Sequence, residues 1–471
     1  MIKFGTGGWR AIIGDGFVKE NIQLLAQGLV NKMKSEGVAE KGIVIGYDRR
    51  FLSKEAMQWS AEVFAAAGIK AYLINKSSPT PLIMFYVMKH GFDYGMMITA
   101  SHNPALYNGV KVFTKEGRDA DEIQTKDIEN YISDIGLGEV YSVEYEEGKK
   151  QGFIEEIYPL NEYLDNIIAS VDMAAIRNAG LKVVLDPMYG VSETSLKTIL
   201  LTARCEMATI HDRHDTLFGG KLPAPTASTL HSLQNAVVER KYDVGIATDG
   251  DADRIGIIDD QGNFLHPNEI LVLLYYYLVK FKGWRGPVVR NIATTHMLDR
   301  VAETFGEKCY EVPVGFKHIS AKMKDSGAII GGESSGGLTV HGHINGKDGI
   351  YAAMLLVEMI AVTGKKLSEI MADIYKECGK IYMEERDYKF TQAKKEQMYV
   401  TLMENKLIPD LPVEIEKISY MDGSKIYFKN GGWVIARFSG TEPLLRIFCE
   451  MPTIEGAKEI CKIYEDFLEL S

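Results

Sequence analysis

Three aspartates, Asp249, Asp251 and Asp253, stand at alternate positions of one short loop, with small residues between them. Alternate carboxylates in a tight loop can converge on one hard cation. An EF-hand calcium loop is excluded, because Arg254 stands where that loop needs glycine and the apolar segment 255–258 follows at once. Three carboxylates also leave coordination positions for water or a phosphoryl oxygen. The loop therefore favours a Mg²⁺ site for phosphoryl chemistry over a plain acidic turn.

A serine loop, residues 99–104 with the sequence TASHNP, follows an apolar segment and presents the hydroxyl of Ser101. A ligand could reach this hydroxyl, although a turn in which Ser or Asn caps a helix explains the same residues. His102 is adjacent in sequence and need not be the base for this serine. Lys111, on a predicted returning strand, could be a general acid or base if other cations lower its pKa, or it could be a solvated cation.

Two later loops have the composition of ligand-binding turns. In residues 331–337, GGESSGG, Glu333 and Ser335 could hydrogen-bond to neighbouring sugar hydroxyls, although a plain turn fits equally well. In residues 437–443, RFSGTEP, an arginine, hydroxyls and glycine amides could hold a phosphate that is not transferred. This loop lacks the lysine and the spacing of a nucleotide P-loop.

The combination of the four loops is more informative than any one of them. A serine loop, a metal loop, a hydroxyl-binding loop and a phosphate-binding loop, in that order, indicate an enzyme that acts on phosphorylated sugars. Arg10 and Lys317 are two further cations that could meet such a substrate, although a surface ion pair is the ordinary alternative for each.

Composition restricts the remaining function classes. The chain has 471 residues, of which 46% are hydrophobic and 25% charged, as is typical of a soluble globular protein with several domains. Its net charge of −11 argues against nucleic acid as a partner, because nucleic-acid phosphates need a basic surface. We see no signal-peptide pattern, no apolar segment long enough to span a bilayer, and no CxxC pair among five cysteines. A cytoplasmic protein without a membrane partner is the expectation.

The elements that must position these loops are short apolar segments that end directly before polar loops. They are residues 43–46, 96–98, 183–185, 244–247, 328–330 and 433–436. Helical patterns lie between many of them, for example at 55–67 and 351–362. Alternating strands and helices predict an α/β fold, in which ligand-binding loops gather beyond the carboxyl ends of the strands. Linker-like composition predicts domains at 1–150, 151–259, 260–378 and 379–471.

The four motifs, in order from Ser101 to Thr441, resemble those of the α-D-phosphohexomutases, the family of phosphoglucomutases and phosphomannomutases. The TASHNP and DGDADR segments are the most specific, and the resemblance covers the whole chain. It implies a heart-shaped molecule of four α/β domains around a central cleft, three of them similar and mixed α/β and the last a smaller α+β domain. It also implies an isomerase that interconverts hexose 1-phosphate and hexose 6-phosphate through a phosphoserine and a hexose 1,6-bisphosphate.

The resemblance further implies roles for individual residues. Ser101 would carry the phosphoryl group, and the three aspartates would bind one Mg²⁺ together with the phosphate on Ser101. The residues implied around the phosphoserine are Arg10, His102, Lys111 and Arg254. Those implied to bind substrate are Glu333, Ser335 and Lys317, with Arg437, Ser439, Gly440 and Thr441 for the phosphate that does not react. Glucose 1,6-bisphosphate is the expected activator and intermediate, and a monomer or weak homodimer is the expected assembly.

Two departures from the family pattern bear on the sugar. Ser334 stands where members often carry methionine or glutamine, and the loop ends in Gly336-Gly337 without the Gly-His of many phosphomannomutase and phosphoglucosamine mutase loops. The segment 314–317, VGFK, resembles that of phosphoglucomutase-type members. Glucose or mannose phosphates are therefore expected ahead of glucosamine phosphates. The alternatives are a phosphoglucosamine mutase, a serine-dependent phosphomonoesterase and a catalytically inert sugar-phosphate-binding protein.

Overall fold

The computed structural model of the chain describes residues 2–5, 8–136, 138–438 and 444–470. Four β-sheets follow one another along the chain, and helices cover each of them. The predicted architecture is confirmed, because three units with mixed sheets precede a smaller C-terminal unit with an antiparallel sheet. Among the described residues, no helix is both long and apolar enough to span a bilayer.

The first unit contains a seven-stranded sheet. Its strands are β1 (Trp9–Ile12), β2 (Ile43–Tyr47), β3 (Ala71–Ile74), β4 (Tyr94–Ile98), β5 (Tyr107–Thr114), β6 (Arg118–Asp119) and β7 (Ile154–Ile157), and its helices are α1 (Lys19–Ser35), α2 (Ser53–Ala66), α3 (Thr80–His90), α4 (Glu122–Ser133) and α5 (Tyr145–Lys150). The order is β1-β5-β4-β2-β3-β7, with β6 on β5. Since β7 pairs in parallel with β3, the predicted boundary at 150 falls before the last strand of this sheet.

The second unit contains a five-stranded sheet in the order β12-β11-β10-β8-β9. Its elements are α6 (Leu160–Ser170), α7 (Met173–Ala179), β8 (Lys182–Asp186), α8 (Ser192–Thr202), β9 (Glu206–Thr209), α9 (His231–Arg240), β10 (Val244–Thr248), β11 (Ile255–Ile258) and β12 (Phe264–Leu265). The predicted boundary at 259 lies between β11 and β12, which pair with each other. Residues 259–263 form a hairpin turn, closed by Asp259 N donating to Asn263 O. The polar residues of this turn have a composition similar to that of a linker between domains.

The third unit contains a four-stranded sheet in the order β14-β13-β15-β16. Its elements are α10 (Pro267–Lys280), β13 (Val288–Asn291), α11 (Met297–Thr304), β14 (Cys309–Val312), α12 (Phe316–Ser326), β15 (Ile330–Gly332), β16 (Leu338–Val340), α13 (Gly349–Thr363) and α14 (Leu367–Cys378). Helices α10 and α13 are buried over nearly their whole length and belong to one apolar core shared with the second unit.

The fourth unit contains a five-stranded sheet in the order β17-β21-β20-β19-β18. Its elements are β17 (Tyr382–Lys389), α15 (Gln392–Tyr399, continued by a π turn over Val400–Glu404), β18 (Ile415–Ser419), β19 (Ser424–Phe428), β20 (Trp433–Phe438), β21 (Leu444–Met451) and α16 (Ile454–Phe467). Two 3₁₀ turns elsewhere complete the helical elements of the described chain, Ala39–Lys41 and Phe218–Gly220.

The ends of four strands position the four loops. The serine loop follows β4, the aspartate loop follows β10, the GGESSGG loop begins within β15, and the RFSGTEP loop begins at the end of β20. Strands β4 and β10 are buried along their whole length, so the first residues of their loops start from a fixed backbone. One loop of each unit thus leaves the carboxyl end of a strand, as the α/β pattern predicts.

Candidate functional site

Ser101 and the aspartate loop come together between the first two units. The Ser101 side chain is buried at 1% exposure, and its Oγ donates to Asp249 Oδ2 at 2.8 Å. The Ser101 backbone adopts a left-handed conformation with φ +52°, which is uncommon for a residue with a side chain. Close approach of the two loops requires Gly250, because a Cβ there would stand 2.8 Å from the Ser101 carbonyl oxygen. The serine loop and the aspartate loop are therefore fitted to each other.

The three aspartates form one buried carboxylate cluster. Each of Asp249, Asp251 and Asp253 can offer an oxygen such that the three ligand atoms lie within 4.8 Å of one another, and all three side chains are fully buried. Asp251 Oδ1 and Asp253 Oδ1 have no hydrogen-bond partner among the described residues. Buried carboxylate oxygens without partners are costly, and hard divalent cations are bound through such oxygens. The cluster therefore fits Mg²⁺.

Two lysines and a threonine contact the outer oxygens of the cluster. Lys111 Nζ donates to Asp251 Oδ2 and Asp253 Oδ2, each at 2.7 Å, and Thr80 Oγ1 donates to the same Asp251 oxygen at 2.7 Å. Lys347, from the third unit, lies 2.9 Å from Asp253 Oδ2. Sequence reasoning placed Lys111 here and missed Lys347. The one local signal was a lysine just before the acidic N-cap of a strongly apolar helix, α13.

The charges in this cluster shift the carboxyl pKa values in opposite directions. Burial, and then the negative charges of Asp251 and Asp253, raise the pKa of Asp249 well above its usual range. Burial also acts to raise the pKa of Asp253, but Lys111, Lys347 and Arg254 outweigh it and hold that pKa well below the usual range. Asp249 is thus the carboxylate left without enough positive charge around it, and it is the one that contacts Ser101.

Two carboxylates set the charge state of Lys111. Burial would lower its pKa, but the adjacent Asp251 and Asp253 outweigh burial and raise the pKa above the usual value. The raised pKa favours the ammonium cation, the form that could donate a proton but not accept one. Its side chain contributes a fixed positive charge beside the carboxylates.

Three more of the predicted residues surround the serine. His102 Nδ1 lies 3.4 Å from Ser101 Oγ, and the pKa of His102 is lowered well below 6.5, first by the charge of Arg254 and then by burial. Arg254 N donates to Asp249 Oδ1 at 3.0 Å. Arg10, on β1, donates from Nη1 to Asn103 Oδ1 at 2.7 Å. A neutral imidazole thus lies beside the hydroxyl, and the charges of Arg254 and Arg10 act on that imidazole.

Glu333 is held by two residues of the third unit. Its Oε1 accepts from Asn291 Nδ2 and from the Gly315 backbone N–H, each at 3.1 Å. The end of the same loop, Gly337, forms a β-bridge with Arg254, so the GGESSGG loop is attached to the aspartate loop. Ser335 is exposed on the turn of this loop.

Two predicted substrate-binding cations are paired with carboxylates. Lys317 Nζ donates to Glu122 Oε1 of α4 at 2.5 Å, which joins the third unit to the first. Arg437 Nε donates to Asp422 Oδ2 at 3.0 Å, and the same oxygen accepts from Val314 N at 2.9 Å. Ser439, Gly440 and Thr441 lie outside the described residues.

An open cavity of about 630 Å³ adjoins these residues between the first and third units. Lys317 and Asp119 both line it, and the charges of Lys111 and Lys347 act on Asp119. Ser101 and the three aspartates of the cluster are not among the residues that line it.

Comparison with known proteins agrees with this geometry. Models of the phosphoglucomutase/phosphomannomutase family match the chain in order: α/β/α domain I at 1–138, α/β/α domain II at 161–262, α/β/α domain III at 266–378 and the C-terminal domain at 398–465. A probable phosphoglucosamine mutase of Methanocella arvoryzae is 31% identical, over 98% of this chain and 96% of that protein. A phosphoglucomutase/phosphomannomutase of Thermococcus kodakarensis is 28% identical, over 99% of this chain and 98% of its own length.

A solved structure has the same fold over the whole length. The crystal structure of a candidate phosphomannomutase from Thermus thermophilus superimposes with a TM-score of 0.86 at 27% identity, covering 99% of both chains. Four matched domain families, near-complete coverage of relatives and a common fold point to one conclusion. The chain belongs to the phosphoglucomutase/phosphomannomutase family, the α-D-phosphohexomutases, and is an intramolecular phosphotransferase.

Proposed function

We propose that the chain interconverts hexose 1-phosphate and hexose 6-phosphate through a phosphorylated Ser101 and a hexose 1,6-bisphosphate. The observation that carries this proposal is the 2.8 Å hydrogen bond between Ser101 Oγ and the buried carboxylate cluster. A serine hydrogen-bonded to a buried cluster of three aspartates, which two lysines contact, has the surroundings of a phosphoryl carrier, because phosphoryl transfer depends on positioning and on fixed opposite charge.

The carboxylate cluster is proposed to hold Mg²⁺ through Asp249, Asp251 and Asp253, together with an oxygen of the phosphate on Ser101. When bound, the ion would neutralise negative charge on the phosphoryl group. Lys111 and Lys347 hold the outer oxygens of Asp251 and Asp253, so the inner oxygens stay directed at one point. The lysines thereby orient the carboxylates and add positive charge near the reacting oxygens.

The proton of the serine hydroxyl must leave when Ser101 accepts a phosphoryl group. We propose that His102 takes it when the hydroxyl turns from Asp249 towards the neutral ring nitrogen, which lies 3.4 Å from the hydroxyl oxygen. In that step the Ser101 oxygen–phosphorus bond forms, the phosphorus–oxygen bond of the hexose bisphosphate breaks, and the proton passes from His102 to the released sugar oxygen. Arg10 and Arg254 are proposed to stabilise the phosphoryl oxygens.

The bisphosphate must turn in the cleft so that either phosphate can face Ser101. Glu333 and Ser335 are proposed to bind sugar hydroxyls, with Lys317 nearby, and Arg437, Ser439, Gly440 and Thr441 to hold the phosphate that is not reacting. A site for a second phosphate is what a mutase needs and a phosphomonoesterase does not. This requirement disfavours a phosphatase as the alternative function.

The sugar is proposed to be glucose or mannose, with glucosamine as the second candidate. The absence of a Gly-His end from the GGESSGG loop and the VGFK segment at 314–317 support the first. The second is supported by relatives named probable phosphoglucosamine mutase, from Methanocella arvoryzae and from other archaea at 28–29% identity. Domain limits, the monomer or weak homodimer and the role of glucose 1,6-bisphosphate stay predictions from sequence.

A substrate panel tests the proposal. The purified chain would receive glucose, mannose, glucosamine, N-acetylglucosamine or ribose 1-phosphate, with Mg²⁺ and trace glucose 1,6-bisphosphate. Both the 6-phosphate (or 5-phosphate) product and free phosphate would be followed. We expect a hexose 6-phosphate to form without release of free phosphate. Release of phosphate alone would identify a phosphatase, and no product from any sugar would reject the mutase.

A further inference from the structure

A buried aspartate–arginine pair behind the serine loop has no part in the chemistry described above. Asp48 and Arg50 follow directly after β2, and β2 is the parallel neighbour of β4, which leads into the serine loop. Because carboxyl ends of parallel strands lie at the same edge of a sheet, the two loops leave the sheet side by side. Both side chains are buried, with Arg50 at 3% exposure.

The Arg50 guanidinium hydrogen-bonds to four backbone carbonyls of the serine loop and the residues just after it. Nη2 donates to Ser101 O at 2.7 Å and Asn103 O at 2.6 Å, and Nη1 donates to Pro104 O and Tyr107 O, each at 2.9 Å. Carbonyl dipoles that converge on one point repel each other unless a cation lies between them. The planar, forked guanidinium satisfies all four carbonyls at once, which a single ammonium group cannot do.

Asp48 holds the backbone N–H of Ser101 through the side chain of Thr99. Thr99 Oγ1 donates to Asp48 Oδ2 at 2.6 Å and accepts from Ser101 N at 2.8 Å. Asp48 itself accepts from the Arg50 backbone N–H at 2.9 Å. The backbone N–H and the backbone C=O of Ser101 are therefore both held by one buried pair.

The conformation of Ser101 explains why such support is required. A residue with a side chain at φ +52° is strained, and it persists only where its surroundings hold it there. The contact that depends on this conformation is the 2.8 Å bond from Ser101 Oγ to Asp249. The guanidinium of Arg50 also lies over the ring of Phe218 from the second unit, 4.9 Å from its centre, so the pair is fixed from both units.

We propose that Arg50, with Asp48 and Thr99, is a positioning residue that holds Ser101 in its left-handed conformation and directs its hydroxyl at the carboxylate cluster. Arg50 acts through the serine loop and does not touch the substrate. The inference rests on the proposed role of Ser101 as phosphoryl carrier. Loss of the support is expected to slow transfer to and from Ser101 while the substrate still binds.

Two sets of variants test the inference. Arg50→Lys keeps the charge and removes the fork, and Thr99→Val removes the hydroxyl with little change in volume, whereas Thr99→Ser restores it. Misplacement of a reacting group by about 1 Å can cost about 100-fold in rate, so we expect Arg50→Lys and Thr99→Val to lower kcat by about 10- to 100-fold. We expect KM to stay within about threefold of native, since the binding groups are untouched. Thr99→Ser should recover most of the lost kcat.

A stability control separates positioning from general destabilisation. Leu29→Ala, in the buried core of α1, removes packing of the same unit away from the serine loop and lowers Tm. Turnover would be measured below the Tm of every variant, and phosphorylation of Ser101 by glucose 1,6-bisphosphate would be followed by intact mass. We expect slow phosphorylation in Arg50→Lys and Thr99→Val and a native rate in Leu29→Ala.

The inference is overturned if the native chain turns over and both test variants keep kcat within about twofold of native, or if the Leu29→Ala control loses as much. If Arg50→Lys does not fold, the Thr99→Val and Thr99→Ser pair decides alone. If the native chain is never phosphorylated at Ser101, the proposed function fails and the inference fails with it. If the native chain is active and the Arg50→Lys and Thr99→Val variants have the same kcat, only the inference is rejected and the proposed function stands.

Discussion

The serine–aspartate centre and the proposed substrate-binding residues differ in how their charges are paired. In the first region, Ser101, the three aspartates and Lys111 are buried and hydrogen-bonded to one another across two units. In the second region, Lys317 and Arg437 lie closer to solvent and are paired with Glu122 and Asp422. The proposed reacting groups are thus in place before substrate arrives, whereas the proposed binding groups would have to exchange a carboxylate for a ligand.

This difference has a physical reason. A phosphoryl carrier depends on fixed geometry, and a buried centre supplies it because few other arrangements satisfy all its charges. A bisphosphate intermediate that must rotate in the proposed cleft needs contacts that form and break with a small change in free energy. Partly exposed ion pairs contribute little free energy, about 1 kcal/mol or less, so a phosphate can replace the carboxylate at each of them.

The largest effect is expected from removing the carrier hydroxyl. Ser101→Ala should lower kcat by about 1,000-fold or more, because no covalent intermediate can form, while the Kd for hexose phosphate stays close to native. Turnover and isothermal titration would be measured side by side. Ser133→Ala, at an exposed helix end, is the matched control and should behave as native. Near-native turnover of Ser101→Ala would remove the phosphoserine from the mechanism.

Removing the divalent cation is expected to have the next largest effect. Chelation with EDTA should abolish turnover, and Mg²⁺ should restore it and raise Tm, because a ligand that binds only the folded state stabilises it by about 2.7 kcal/mol at 100 times its Kd. Asp253→Asn should lose most of both effects. Asp134→Asn, at an exposed position, should lose neither. An identical Tm with EDTA and with Mg²⁺ would contradict the metal site.

A moderate effect is expected on the substrate-binding side at Arg437. Arg437→Ala should weaken hexose-phosphate binding by about 10- to 100-fold, since a hydrogen bond to a charged group contributes about 1.5–3 kcal/mol. The contact is made in ground and transition states alike, so KM should rise more than kcat falls. Arg446→Ala, an exposed arginine opposite Arg437 on the neighbouring strand, is the control. Unchanged affinity in Arg437→Ala would remove this residue from the phosphate site.

The smallest effect is expected from releasing Lys317. Glu122→Gln should tighten hexose-phosphate binding by about two- to fivefold. The reason is that Lys317 no longer has to break an ion pair that contributes up to about 1 kcal/mol. Glu116→Gln removes a similar ion pair, to Lys324, between the same two units. It should leave the affinity unchanged. Equal changes in both variants would mean that loosening of the two units, and not release of Lys317, sets the affinity.

The sequence predicts the carboxylate cluster well because its information is local. Asp249, Asp251 and Asp253 lie within one loop, and the apolar segments on either side identify the strands that hold it. The four-domain α/β architecture was predicted for the same reason, since each strand–loop pattern is contained in a few residues. Family resemblance then supplied the expectation that loops far apart in sequence come together around one cleft.

Contacts between distant segments could not be read in the same way. Lys347 reaches Asp253 only because the third unit packs on the second, and its place before the N-cap of α13 does not identify Asp253 as the partner. The charge state of Lys111 likewise depends on two aspartates more than a hundred residues away. The pairing of β7 with β3, which places a strand of the first sheet after residue 150, is also a long-range contact.

The most direct test of the account is the phosphorylation of Ser101 itself. Native chain would be incubated with glucose 1,6-bisphosphate and Mg²⁺ and then divided. One portion would be digested and examined by mass spectrometry, and the other, left intact, would be freed of bisphosphate and chased with hexose 1-phosphate. The account predicts one phosphoryl group on the peptide that contains Ser101, which the chase transfers to sugar and not to water. A phosphoryl group on another residue, none at all, or its release as free phosphate would contradict the account.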